Sequence, residues 1–211
     1  MAAVKTRRQP VQARSQARVE RILAAATAVV EEEGVDAATT RAIAARAGVP
    51  VATLYQFFAD RDAVLDEVLR RELEALDRHV AAASQAARAA GTITSLADFV
   101  DFAFEVHRAY YRSRPAFARL WFGGRRSSPV EVAVRDRGRR LAADWHAMMI
   151  AGGFVDPASE PIVSELAVEL GDRVFECAYR RESEAEDRLF AEGKRAVTAY
   201  LQQYAARRTG S

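Results

Sequence analysis

Very little in the 211-residue sequence can be cross-linked, ligated to a metal or buried in a bilayer. Cys177 is its one cysteine, which excludes an intrachain disulfide and favours a reducing compartment. A small apolar side chain in the core is the plainest role for it. The three histidines, His79, His107 and His146, do not fall at metal-ligand spacing. There is no phosphate-cradling glycine loop, no nucleophile elbow and no Cys-X-X-Cys pair. An enzyme, a metal site and a cofactor are therefore not expected. No uncharged stretch approaches the roughly 18 apolar residues that span a bilayer, and no long apolar run follows the first charges. A cytoplasmic protein with no membrane partner is expected.

Lysine is scarce too, with two among 31 basic residues, and the net charge is only +2. That small excess is unevenly placed. Residues 1–62 carry 9 basic and 7 acidic side chains, whereas residues 63–211 carry 22 of each. Within residues 1–30, Lys5, Arg7, Arg8, Arg14, Arg18 and Arg21 stand against Glu20 alone, the pattern of a basic arm attracted to a polyanion. Residues 1–14 are expected to form a flexible arm.

What is abundant is helical periodicity, and runs of alternating β-branched residues are missing. The fold class expected is all-α, with about nine helices. The first begins near Ser15, carries Val19, Ile22, Leu23, Ala26, Val29 and Val30, and stops at Gly34. A second spans about Thr40 to Ala47, and a third runs from Pro50 or Val51 to Phe58. Asp60 caps a long fourth through Val64, Leu65, Val68, Leu69, Leu73 and Leu76. GTITS at 91–95 is a break. Ser95 and Asp98 then open a helix that lasts until Pro115, and a short apolar piece, 116–122, follows. Ser128, Pro129 and Glu131 start the next helix, which ends near Gly152. Two more helices come after the loop FVDPASEP, divided near Ser183 and Glu186, another capping pair.

The longest uncharged stretch, AGVPVATLYQFFA at 47–59, sits inside the second and third helices. Two short helices joined at Gly48 are the ingredients of a helix-turn-helix, whose second helix enters the DNA major groove. Leu54 and Phe58, four apart, would pack with Val49 against Ile43 and the first helix. Val51, Ala52, Tyr55 and Gln56 project the other way. Such a helix reads base edges, while Arg41, Arg46 and Arg61 supply attraction to phosphate. The acidic run Glu31 to Glu33 reads as a solvated helix end.

TTRAIAARAGVPVATLYQFFADRDAVL at 39–65, with ILAAA at 22–26 and EEEG at 31–34, resembles the tetracycline-repressor (TetR) family of transcriptional regulators. The resemblance is specific over about residues 15–70 and beyond them rests on helix number and order. It implies a helix-turn-helix domain at 15–62 and a helical ligand-binding and dimerisation domain at 63–211. Thr40, Thr53, Tyr55 and Arg61 match positions that hold DNA phosphates, a task suited to hydroxyls and a guanidinium. Arg41, Val51, Ala52, Gln56 and Phe57 match positions facing the groove. There Gln56 suits adenine, Arg41 suits guanine, and the two aliphatic residues offer contact to thymine methyl groups. Pro50 and Ala52 depart from the usual serine and glycine, and Pro50 forfeits a hydroxyl cap and a backbone donor.

Residues 95–182 are dense in aromatic and amphipathic side chains, which by the resemblance line a small-molecule chamber. Phe102, His107, Tyr111, Trp121, Trp145 and Met149 combine apolar bodies with polar tips and are the expected lining. Leu166, Leu170, Val174, Val197, Leu201 and Tyr204 on the last two helices are the expected homodimer interface. A dimer of that kind demands a palindromic double-stranded DNA operator with half-sites about one helical turn apart or somewhat more. The expected function is a ligand-responsive repressor released from its operator by a mostly apolar effector. The alternative is a helical small-molecule sensor that has lost DNA binding, prompted by Pro50.

Overall fold

The computed structural model describes residues 9–123, 127–180 and 186–206. Among them the chain forms nine helices: α1 (Gln9–Glu33), α2 (Thr40–Ala47), α3 (Val51–Tyr55), α4 (Arg61–Ala90), α5 (Leu96–Ser113), α6 (Pro115–Gly123), α7 (Ser128–Ala151), α8 (Ile162–Arg180) and α9 (Glu186–Gln202). The only extended pairing among the described residues is an isolated bridge between Val155 and Ala205. The all-α expectation holds.

The caps follow sequence chemistry closely. Thr39 accepts from the Ala42 amide at 3.1 Å and opens α2. Asp60 accepts from Ala63 at 2.8 Å and opens α4. Ser95 accepts from Asp98 at 3.1 Å and opens α5, while the Asp98 carboxylate reaches back to the Thr94 amide and hydroxyl. Each bond satisfies an amide that helix geometry leaves orphaned. Three boundaries differ from expectation. Helix α1 reaches back at least to Gln9, upstream of the expected start at Ser15, so residues 9–14, expected to belong to a flexible arm, are helical. The cap of α7 is Ser127, one residue before the expected Ser128, without a side-chain bond. Helix α3 stops at Tyr55 instead of reaching Phe58. Lys5, Arg7, Arg8 and the Ser183 cap lie outside the described residues.

Two compact units result: Met1–Glu72 with Pro115–Arg126, and Leu73–Arg114 with Ser127–Ser211. The division falls within α4, later than residue 62, and α6 groups with the first unit because it packs on α1. In the first unit Ile22, Val29 and Val30 of α1 are buried, as are Ile43 of α2 and Leu54 of α3. Arg119 of α6 donates to the Val30 and Glu31 carbonyls at 3.2 and 2.5 Å, supplying cation and donor where α1 ends.

In the second unit α5 packs on α9, α7 on α8, and α8 on α9. Phe104, Phe175 and Phe190 form its aromatic centre, with ring centroids 5.0 to 6.4 Å apart. The α8–α9 pair needs a glycine: a Cβ at Gly193 would lie 2.6 Å from both Val174 methyls.

Candidate nucleic-acid interface and small-molecule chamber

Gly48 makes the turn between α2 and α3, in a left-handed conformation of φ 64° and ψ 38°. Leu54 is fully buried and fixes the short α3 against its own unit, while Phe58 is half-buried. The opposite side is open. Tyr55 is 52% exposed, and Arg41, Ala52 and Gln56 are exposed as well. Val51, Thr53 and Phe57 are half-buried, so each shares its surface between packing and solvent. Because α3 ends at Tyr55, Gln56 and Phe57 stand in the turn beyond it, where the Phe57 and Phe58 amides both donate to the Leu54 carbonyl at 3.0 Å. Pro50 begins α3 with no side-chain cap.

The fold brings together two residues that the sequence separates. The hydroxyls of Thr40 and Tyr55 lie 3.4 Å apart across α2 and α3. Both are hydrogen-bond donors at the open face, as a phosphate contact needs. The arginines are placed differently from expectation. Arg61 is half-buried, and its Nε donates to the Ala38 carbonyl at 3.0 Å while Nη2 donates to that of Val35. Its guanidinium therefore ties the α1–α2 connection to the start of α4. Arg46 is clamped by both carboxylate oxygens of Glu32. That hydrogen bond holds the Glu32 carboxyl below its usual range, so part of the acidic run is paired rather than merely solvated. Arg41 is left as the exposed cation of α2 itself that makes no ion pair among the described residues.

The second unit holds a cavity of about 50 Å³. Phe99, Ala103 and His107 line it from α5, each four residues from the next, with Val100 and Phe104 beside them. Trp145 and Met149 approach from α7, Ala167, Gly171 and Phe175 from α8, and Val197 and Leu201 from α9. The Trp145 ring stands edge-on to Phe99 and His107, at 5.6 Å from each. Three expected residues, His107, Trp145 and Met149, do line this space.

The other three do not. Phe102 is half-buried on a different face of α5, one residue short of the Phe99–Ala103–His107 row. Tyr111 continues that row by one turn, but packs beyond the cavity on Phe175 and Tyr179, at 5.5 and 5.7 Å. Trp121 belongs to α6 in the first unit, where it packs on Phe117 at 5.9 Å. Phe99, Phe104 and Phe175, which also line it, belong to the aromatic-dense segment 95–182 but were not singled out; Ser164, Gly171 and Asp172 gave no sequence signal.

Two interface assignments are also corrected. Val197 is 5% and Leu201 1% exposed, and both face the cavity, so they belong to the interior of the protomer. Leu166 and Leu170 are 45% and 38% exposed and continue a row from Ile162 at 59%, an unpaired apolar strip along α8. Val174 and Tyr204 are half-buried.

The buried histidines are both held. His107 Nδ1 is 2.9 Å from the Ala103 carbonyl, to which it donates. Burial pushes its pKa down to about 4, so the ring is neutral at pH 7 and Nε2 is an acceptor. His146 lies 2.8 Å from the Ser164 hydroxyl and 3.2 Å from the Ser159 carbonyl, joining α7 to α8 and its preceding loop. Among the described residues no group of His, Cys, Asp and Glu could hold a metal, and no helix is long and apolar enough to cross a membrane.

Residues 22–68 match the family model described as bacterial regulatory proteins, tetR family, and residues 94–205 match the tetracyclin repressor-like C-terminal domain. No curated protein matches the chain. Among solved structures, a TetR-family transcriptional regulator from Streptomyces coelicolor is similar at 25% identity and a TM-score of 0.63, over 89% of this chain and 99% of that one. A TetR-family regulator from Pectobacterium atrosepticum is similar at 20% identity and a TM-score of 0.68, over 95% and 98%.

Proposed function

Because the chain belongs to the TetR family of bacterial transcriptional regulators, we propose that it represses transcription in the cytoplasm as a homodimer on a palindromic operator, and leaves it when a mostly apolar effector fills the cavity. The observation that carries this reading is the two-sidedness of α3: Leu54 is buried completely, while Tyr55 next to it is half exposed, with Gln56 and Arg41 also open. Gln56 and Arg41 read base edges, and Thr40, Thr53 and Tyr55 bind phosphate. Arg61 acts on phosphate mainly by holding the α1–α2 connection in place. The apolar row Ile162, Leu166 and Leu170 supports a dimer, since two copies would cover it on a two-fold axis and set two reading helices on one duplex.

Release follows from the small size of the cavity. Sites for small organic ligands are about 300–1,000 Å³, far more than the about 50 Å³ present. An effector therefore binds only where α5, α7 and α8 have moved apart. Differential affinity for such an expanded state is the condition for shifting a population. Helix α4, which contributes to both units, is one covalent route by which the shift is carried, beside the chain crossings on either side of α6.

Titration of the purified protein on a fragment of its own promoter tests this reading. A retarded complex at low salt that weakens steeply as salt rises is expected. A protein that forms no such complex is the sensor without DNA binding, not a repressor.

A further inference from the structure

Helices α4 and α7 leave an open groove of about 590 Å³ in the second unit, lined among others by Asp77, Arg88, Arg137, Arg140, Asp144 and Trp145. Leu141 and Trp145 line both this groove and the smaller apolar cavity, so those two side chains of α7 are the wall between the spaces. Of these two spaces the groove falls within the range of about 300–1,000 Å³ typical of ligand sites, and the cavity does not.

Arg137 is the unusual group here. Its side chain is only 11% exposed, and its Nε donates to Asp77 at 2.5 Å. Its buried Nη2 has no hydrogen-bond partner among the described residues. A buried charged donor left unmade is costly, and an incoming oxyanion removes that cost. Arg88 and Arg140 on the same groove are exposed, and neither makes an ion pair among the described residues. Three guanidinium groups thus face two carboxylates, one of which, Asp77, is already engaged.

The cavity behind the wall has the opposite character. Phe99, Phe104, Met149 and Phe175 make it apolar, its one carboxylate is Asp172, and His107 is neutral. It offers an anion nothing and a hydrocarbon chain nearly everything.

We propose that groove and cavity form one site for an amphipathic carboxylate, its head on the Arg137 guanidinium, whose Nη2 turns out of its buried position to meet it, and its apolar chain passing Leu141 and Trp145 into the cavity. The site deepens the regulator reading and rests on it only in making this ligand the effector. Arg88 and Arg140 at the rim attract the anion, and Arg137 orients it.

The protein is titrated calorimetrically with sodium decanoate and with decan-1-ol, and the same sample is assayed for retention of its promoter fragment. Decanoate is expected to bind at least tenfold more tightly than the alcohol. Arg137→Gln should weaken decanoate tenfold or more and leave decanol unchanged. Asp77→Asn, which removes the competing charge on Arg137, should tighten decanoate. Equal binding of acid and alcohol, binding of neither, or an Arg137→Gln protein that binds decanoate as well as before overturns the proposal. If Arg137→Gln does not fold, Asp77→Asn decides, and unchanged or weaker decanoate binding overturns it. A promoter complex that forms but ignores decanoate sinks the site as effector site and leaves the regulator standing. Arg137-dependent decanoate binding without any promoter complex does the reverse.

Discussion

The two units solve opposite problems with the same kind of helix. In the first, α3 is five residues long, and one fully buried side chain, Leu54, fixes it while its outer residues stay open. In the second, α5 is 18 residues long and buries nine of them, yet the helices it packs with leave a cavity among them. A reading surface must be rigid and outward, so few residues define it and they lie close together in sequence. A chamber must be inward and able to expand, so its walls come from four helices spread over about a hundred residues from Phe99 to Leu201. Contact with a large, regular polymer is written locally, and contact with a small molecule is distributed.

The sharpest way to break that contrast is to remove an anchor of the first unit. Leu54→Ala deletes a fully buried side chain and should cost about 3 kcal/mol, the usual range for a large-to-small change in a core being about 2–5 kcal/mol. Calorimetric unfolding is expected to show that loss, and promoter retention should disappear while the second unit keeps its structure. If Leu54→Ala instead abolished the near-ultraviolet signal of Trp145 and its aromatic neighbours, the units would not be separately stable.

The second unit has its own handle, in pH. Burial depresses the His107 pKa to about 4 from an ordinary 6.5. Between those values the unfolded chain binds a proton that the folded protein refuses, so stability is complete above about pH 6.5 and falls as pH drops toward 4. The loss between pH 7 and pH 5 should be about 2 kcal/mol. A melting temperature that declines over this window in the native protein, but not in His107→Leu, is expected. An identical decline in both would assign the slope to other groups.

Similar physics explains what the sequence made legible. Caps, the Gly48 turn and the two faces of α3 depend on neighbours within four residues, and Thr39, Asp60, Ser95 and Leu54 behave as their spacing requires. Pairings across the chain were not legible. Arg61 looks like a free cation until the Ala38 and Val35 carbonyls, 23 and 26 residues away, are brought to it. Val197 and Leu201 have the periodicity of any amphipathic face, and nothing in that periodicity says whether the face meets α5 and α8 or a second copy. Trp121 has the composition of a pocket residue, but α6 packs on α1.

Within the first unit the roles of its side chains are separable by smaller effects. Gln56→Ala should change discrimination at one operator position by about 1–3 kcal/mol, because a bidentate amide distinguishes adenine from its competitors. Arg61→Ala should lower stability by about 1–3 kcal/mol, because it leaves two carbonyls without their donor, and should weaken DNA binding as a consequence. Arg61 thereby becomes distinguishable from a simple phosphate contact, which would leave the unfolding midpoint unmoved.

Tyr55→Phe should have the smallest effect. The change removes one hydroxyl, 52% exposed as a residue and 3.4 Å from that of Thr40, without creating a cavity. Its loss should weaken binding to every sequence about equally, by about 1 kcal/mol or roughly fivefold, and leave the unfolding midpoint unchanged. Thr40→Val alone should produce a loss of similar size. If the two hydroxyls act as one donor pair on a single phosphate, the double variant should lose less than the sum of the two single losses. Strict additivity in binding measured across several promoter fragments would mean that Thr40 and Tyr55 hold separate phosphates, and that their proximity across α2 and α3 is only a packing contact.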